Sequence, residues 1–357
     1  MLEVLIIRAD ASTQIGSGHI MRCLALAQAW KKQDGKVIFI STCESESLRN
    51  RIIDEGFELV LVKEPYPDPV DFETTLSTLN YLPSTKSWVV LDGYHFDTDY
   101  QQCIKNNGNP LLVIDDIAHL NHYVADIILN QNINAEKLSY SCEPETKLLL
   151  GTKYVLLRDE YLTYKNTNGE IPVVAKRILI TMGGADPENI TLKVLNALNQ
   201  INVEDLEINV VVGTSNPHLD TLKKAAMNCY HKIEVLHDVS NMPQLMAWAD
   251  LAVSAGGSTC WELAFNGVPS ILIVLAKNQK WVAKGLSKYG YAINLGGHNE
   301  VTCEQTKTTV EKLISDNVER NMMSNCGRKL IDGQGKRKVT AEMRNVNEFD
   351  NIFMDPP

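Results

Sequence analysis

The sequence predicts an α/β protein built from two Rossmann-like domains with a cleft between them. Three observations carry that expectation. Short apolar runs alternate with helix-period segments along the whole 357-residue chain. The alternation comes as two series, before and after the polar stretch 164–175 (YKNTNGEIPVVA), which reads as a linker. Each series places a glycine-bearing turn directly after its first apolar run. A chain of this length exceeds a single core and suits two domains. The expected boundaries are 1–165 and 172–345, with a loose acidic tail over 346–357.

The first series contains six runs that read as buried strands: 4–7 (VLII), 37–40 (VIFI), 59–62 (LVLV), 89–91 (VVL), 111–114 (LLVI) and 127–129 (IIL). Their unbroken apolar character fits parallel strands covered on both faces. A helix over 20–32 lies between the first two, and Asp34-Gly35 marks its end. The second series begins with 178–181 (ILIT), then MGGADPEN and a helix from about residue 190. Strands at 208–212, 233–236, 251–253, 271–274 and 292–294 follow, with helices interspersed.

Composition narrows the function classes. Apolar residues make up 44% and charged residues 22%, as in ordinary globular proteins. The formal net charge of −10 disfavours a nucleic-acid partner, which needs a basic surface. It leaves room for a small anionic ligand, because backbone N–H groups and helix N-termini hold phosphate without net positive charge. Eight scattered cysteines with no C-x-x-C pair read as reduced thiols. The longest clean apolar stretch, 268–276, is too short to span a bilayer. The chain opens almost at once on a strand, with no signal-peptide pattern. A cytoplasmic protein without membrane partner is expected, a monomer or weak homodimer.

Five stretches carry candidate chemistry. In GSGHIMR (16–22), Gly16 and Gly18 permit a sharp turn and a close ligand, and His19 falls in the first turn of a helix. The unpaired N–H groups there disfavour an imidazolium, so the ring suits a general base. Arg22, three residues on, shares nearly the same helix face. The competing reading is a histidine that only caps or packs. The third glycine of a dinucleotide fingerprint is missing, and no such cofactor is expected.

In SAGGSTCWELAFNGVP (254–269), Gly256, Gly257, Ser258 and Thr259 precede a helix and could seat a phosphate. Glu262, one turn in, could take two hydrogen bonds from a ribose diol. A tight turn with a capping hydroxyl and a dipole-favoured glutamate would look the same. In TMGGADPEN (181–189), Gly183 and Gly184 form a comparable loop, and Asp186-Pro187 reads as N-cap and first helical residue. In LDGYHFD (91–97) and VIDD (113–116), Asp92, Tyr94, Asp115 and Asp116 stand at the carboxyl ends of strands. His119 and His122 follow closely, but H-x-x-H lacks a third ligand of known geometry, so no metal is expected.

RADASTQIGSGHIMRCLALA, LDGY, IDD, YVLLRDEY (154–161), MGGAD, SAGGSTCWELAFNGVP and IDGQGKRKV (331–339) occur in the order found in one family. Over residues 3–340 the chain resembles the UDP-2,4-diacetamido-2,4,6-trideoxy-β-L-altropyranose hydrolases of pseudaminic acid biosynthesis and their spore-coat polysaccharide relatives. The 254–269 motif is shared more widely with nucleotide-sugar glycosyltransferases, which keeps a transferase open as the alternative. The resemblance implies a GT-B architecture, with UDP held mainly by the C-terminal domain and the sugar facing the N-terminal one. It implies metal-independent, cofactor-free cleavage of the anomeric C–O bond with inversion, His19 activating water. It further implies that Glu262 binds ribose, that Tyr94 places water or sugar, and that Arg22 and Asp10 shape the surroundings of the base.

Overall fold

The computed structural model describes residues 3–82, 87–164 and 170–354. The chain divides into two units: Met1–Arg158 with Gly333–Pro357, and Asp159–Asp332. The first holds seven strands, β1 (Val4–Ala9), β2 (Lys36–Ser41), β3 (Glu58–Leu61), β4 (Ser87–Asp92), β5 (Leu111–Ile114), β6 (Ile127–Asn130) and β7 (Lys147–Leu150). They form one parallel sheet in the order β3-β2-β1-β4-β5-β6-β7. The second holds β8 (Arg177–Thr181), β9 (Glu207–Val212), β10 (Lys232–His237), β11 (Leu251–Ala255), β12 (Ser270–Val274) and β13 (Ala292–Gly297). These pair in parallel in the order β10-β9-β8-β11-β12-β13. Both are doubly wound sheets, and β7 is the one strand not expected from the sequence.

Burial explains the apolar runs. All six residues of β1 are buried. Leu5, Ile7 and Ala9 join one core cluster, Val4 and Ile6 another, so the sheet is covered on both faces as the pattern requires. The helix Gly18–Lys31 contributes Ile20, Cys23, Leu24, Ala27 and Trp30 to the first of these clusters. In the second unit Ile178, Ile180, Val253, Ile271 and Ile273 form the centre of the core.

The domain limits differ from the sequence expectation. Residues 333–345 do not complete the second unit, and 346–354 continue a helix, Gly335–Met354, where a loose tail was expected. Val339 and Met343 are fully buried in the same cluster as Trp30, which ties this helix to the first unit. Of the expected linker at 164–175, residues 165–169 lie outside the described residues.

In each sheet the strand order reverses direction at one point: β1 next to β4, and β8 next to β11. Loops leaving the carboxyl ends of such a pair diverge to opposite faces and open a crevice for ligand. Ala9 is in register with Asp92, and Thr181 with Ser254. The loop before His19 therefore emerges beside the one carrying Tyr94. Likewise the Gly183-Gly184 loop emerges beside Gly256-Gly257.

Candidate functional site

His19 is the second residue of the helix Gly18–Lys31, and its side chain is 13% exposed. The turn that delivers it closes through Gly16 N–H donating to Ser12 O at 2.9 Å. Gly16 has φ +73° with no atom within 4 Å of a notional Cβ. Glycine is needed there for backbone conformation rather than for space. The helix start has no side-chain cap.

The imidazole is held from below by a buried carboxylate. His19 Nδ1 lies 2.6 Å from Asp92 Oδ1. Arg22 grips the same carboxylate with both arms, Nε to Oδ2 and Nη2 to Oδ1, each at 2.6 Å. This fork-to-fork pair is the strongest neutralising geometry a carboxylate can have. Cys23 Sγ adds a weak donor at 3.4 Å. Burial works against the charge of Asp92, but Arg22 and His19 outweigh it and hold the carboxyl well below its ordinary range. An ionised Asp92 can only accept, so the neutral imidazole carries its proton on Nδ1. Arg22 Nη2, 3.3 Å from that nitrogen, is itself a donor and is committed to Asp92. Nε2 is left as the free lone pair.

Arg22 continues to Asp116, with Nη1 2.9 Å from both oxygens. Asp116 also accepts from Tyr94 Oη at 2.7 Å and from Asn132 Nδ2 at 2.6 Å. The Tyr94 ring meets the His19 ring edge to face, with centroids 5.5 Å apart. Arg22, Asp92, Asp116, Tyr94 and His19 thus form one connected network. A cavity of about 320 Å³ opens over it, lined by Ile15, His19, Asp92, Gly93, Tyr94 and His95.

Two sequence candidates take other places. Asp10 does not touch His19. Its carboxylate pairs with the buried Arg8, accepts from Thr42 N–H at 2.6 Å and stands 2.9 Å from His95 Nε2. Asp115 braces its own turn, accepting from Ile117 N–H at 2.9 Å, Ala118 N–H at 2.5 Å, Tyr123 Oη and Tyr140 Oη, with His119 Nδ1 at 2.5 Å. His122 faces Ser141 and Glu143 instead, so the two histidines of H-x-x-H do not converge. Asn132, Ile15 and His95 belong to the network or cavity without having been singled out. His95 had a signal as the neighbour of Tyr94 in LDGYHFD, and Ile15 as the neighbour of Gly16.

In the second unit, β11 runs into Gly256-Gly257, and the helix Thr259–Asn266 starts one residue later. Ser258 is the N-cap, and its hydroxyl makes no capping bond. Gly256 packs on the start of the helix Gln279–Lys288, where a Cβ would sit 3.2 Å from Gln279 Cβ. Glu262 falls in the first turn and is half-buried. Gly183 has φ +85° with open space around it. A Cβ at Gly213 would sit 2.4 Å from Gly184 O, so these two glycines pass in near-contact. Asp186 is not the N-cap of the helix Ile190–Leu198; Asn189 is. The Asp186 carboxylate nonetheless accepts from the N–H groups of Ile190 and Thr191, at 2.8 and 2.9 Å, doing a cap's work from three residues upstream.

Residues 177–339 match the family model described as the glycosyltransferase family 28 C-terminal domain. The UDP-2,4-diacetamido-2,4,6-trideoxy-β-L-altropyranose hydrolase of Campylobacter jejuni is 28% identical over 298 residues, 81% of this chain and 98% of that protein. The chain resembles these hydrolases. The spore coat polysaccharide biosynthesis protein SpsG of Bacillus subtilis is 24% identical over 95% of this chain and 97% of its own. An uncharacterized Methanocaldococcus jannaschii protein, MJ1062, is 28% identical over 76% of this chain, which spans 55% of that protein's length. Among solved structures, Acinetobacter baumannii MurG superposes with a TM-score of 0.66 at 18% identity, over 96% of this chain and 99% of its own. That likeness is one of fold, and the fold is the GT-B arrangement of two Rossmann-like domains. Among the described residues no helix is long and apolar enough to cross a membrane.

Proposed function

We propose that this chain is a UDP-sugar-processing enzyme and that its reaction is hydrolysis. It would release UDP from UDP-2,4-diacetamido-2,4,6-trideoxy-β-L-altropyranose, in pseudaminic acid biosynthesis, by inverting attack of water on the anomeric carbon. The observation that carries this reading is the His19–Asp92 pair: Nδ1 is fixed by a buried carboxylate, which leaves Nε2 as the lone pair of a ring that lines a cavity. An imidazole so held can take a proton from water, and Asp92 stabilises the imidazolium that forms. The likeness to the hydrolases supports the choice of water as acceptor and of this sugar.

Inversion needs the base on one face of the sugar and the leaving diphosphate on the other. In this reading the first unit supplies the base and surrounds the sugar. Tyr94, oriented by Asp116, places sugar or water; Arg22 keeps Asp92 ionised. The second unit holds UDP, with backbone N–H groups of the Gly183-Gly184 and Gly256–Thr259 loops on the diphosphate and Glu262 on the ribose. UDP is a good leaving group, so stabilising its charge matters more than protonating it. No metal takes part in this scheme.

The match to a glycosyltransferase C-terminal domain favours a second reading, transfer to an alcohol or amine acceptor. Proton NMR of the UDP-sugar with enzyme, EDTA and no acceptor separates the two. Stoichiometric free sugar, appearing first as the inverted anomer, is the expected result. Release that depends on an added acceptor would establish the transferase instead.

A further inference from the structure

Two imidazoles line the cavity, and each has an arginine-bound carboxylate behind it. Arg22 grips Asp92, which holds His19. On the other side Arg8 grips Asp10, and Asp10 Oδ2 lies 2.9 Å from His95 Nε2. Arg8 and Asp10 are both buried, and Asp71 holds the far side of the guanidinium. Burial opposes the charge of Asp10, but His95, Arg8 and the Thr42 N–H together keep its carboxyl below the ordinary range. An ionised carboxylate only accepts hydrogen bonds. A lone pair on Nε2 would face that negative charge at 2.9 Å, so a neutral His95 keeps its proton on Nε2 and leaves Nδ1 as the acceptor.

The position of the ring is built in. It packs on Phe96 with centroids 4.1 Å apart. It also lies over Gly93, where a Cβ would come within 2.7 Å of His95 Cε1 and 3.0 Å of Nδ1. Only glycine leaves the ring that room, and Gly93 itself lines the cavity. The contact with Asp10 is off the hydrogen-bonding direction, and neither atom has another hydrogen-bond partner. Among the described residues His95 makes no other polar contact. Its Nδ1 edge is an unused acceptor at the wall of the cavity that His19 faces.

We propose that His95 is a second substrate-contacting residue, its Nδ1 accepting a hydrogen bond from a hydroxyl or amide N–H of the sugar bound beside His19. This rests on the reading that a nucleotide sugar occupies the cavity. The competing role is a brace that only steadies Asp10. Three substitutions separate the roles by geometry. In His95→Asn the side-chain carbonyl falls near the place of Nδ1. In His95→Gln the amide falls near the place of Nε2 and reaches Asp10. His95→Ala removes both.

A substrate contact raises the KM of the UDP-sugar about tenfold in the Ala and Gln variants, while Asn recovers it to within about threefold. Inhibition by UDP alone stays the same in all three, because the contact is to the sugar. Rescue by Gln and not by Asn, or a wild-type KM in all three, overturns the proposal. Calorimetric binding of the UDP-sugar against UDP reads the same pattern without turnover. If the wild-type enzyme releases no sugar, the hydrolase reading fails, and the binding series still decides the role of His95.

Discussion

His19 Nδ1 and Asp92 Oδ1 meet at 2.6 Å although 73 residues separate them in the chain. The contact follows from topology: β1 and β4 are neighbours at the point where the sheet changes direction, with Ala9 opposite Asp92. A carboxylate ending one strand thereby lies under the helix that follows the other. This relationship makes a tautomer prediction. In Asp92→Asn the side-chain amide can donate to Nδ1, which moves the imidazole proton to Nε2 and removes the lone pair facing the cavity. The expected loss in kcat is about 10²–10⁴-fold, with UDP inhibition unchanged. A kcat within a few-fold of wild type would show that Asp92 only packs.

His19→Asn and His19→Ala remove the proposed base. Turnover should fall by about 10²–10⁴-fold while UDP binds as before, because the proposed nucleotide contacts all come from the second unit. Steady-state kinetics and calorimetry on the same preparations check both halves. If the ring only packed, as the bland reading of the sequence allows, kcat would survive and the melting temperature would move instead.

Glu262 tests the second unit independently. Glu262→Ala should weaken UDP binding about tenfold, the value of a charge-assisted hydrogen bond to a ribose hydroxyl. Calorimetric titration with UDP and with uracil alone localises the loss, since uracil lacks the ribose. Equal affinity of wild type and variant for UDP would remove Glu262 from the site.

Most of the fold was legible in the sequence because its strands are buried on both faces. Such strands show as unbroken apolar runs, and the expected limits lie within two residues of the observed ones for β1, β2 and β9. β7 was missed although its run Leu148–Leu150 is as long as those at 89–91 and 127–129; it lies at the sheet edge with Lys147 and Leu148 exposed, so it is not a strand buried on both faces. The C-terminal helix was placed with the wrong unit because which core covers Val339 and Met343 is a long-range fact that periodicity does not carry. At the site, local motifs pointed to His19, Arg22 and Tyr94. The roles of Asp10 and Asp92 were not separable by sequence. Both end or follow strands of the same sheet, and only the pairing of Arg8 with one and Arg22 with the other assigns them.

Acid should unfold the first unit through these carboxylates. Asp92, Asp10 and Asp115 all sit below the ordinary range: burial opposes their charge, and the arginines, histidines and backbone N–H groups around them outweigh it. A depressed folded-state pKa means that the unfolded chain binds protons first as pH falls. The stability these groups contribute is present above the ordinary aspartate value of about 3.9 and is lost as pH drops from there toward the folded values. Urea midpoints should hold from pH 6 down to about pH 5 and then decline toward pH 3, and the decline should be shallower in Asp92→Asn. A flat profile would mean that these carboxylates are no better placed in the fold than in the unfolded chain.

Asp71 carries the sharpest stability prediction. Its carboxylate binds Arg8 and accepts from Tyr100 Oη at 2.9 Å and Tyr66 N–H at 3.1 Å, and it is completely buried. Asp71→Ala leaves the Arg8 guanidinium, also completely buried, with Asp10 as its remaining carboxylate, and strips the Tyr66 N–H of its acceptor, while Tyr100 Oη keeps Thr75 Oγ1 at 2.8 Å. Breaking a buried pair by removing one partner costs about 3–5 kcal/mol, because the surviving charge stays desolvated. Arg8→Met combined with Asp71→Leu and Asp10→Asn removes all three charges of the cluster together and should cost less than Asp71→Ala alone. Urea unfolding of the single and triple variants provides the comparison. A triple variant less stable than the single would mean that the cluster contributes more by its hydrogen bonds and packing than its buried charges cost.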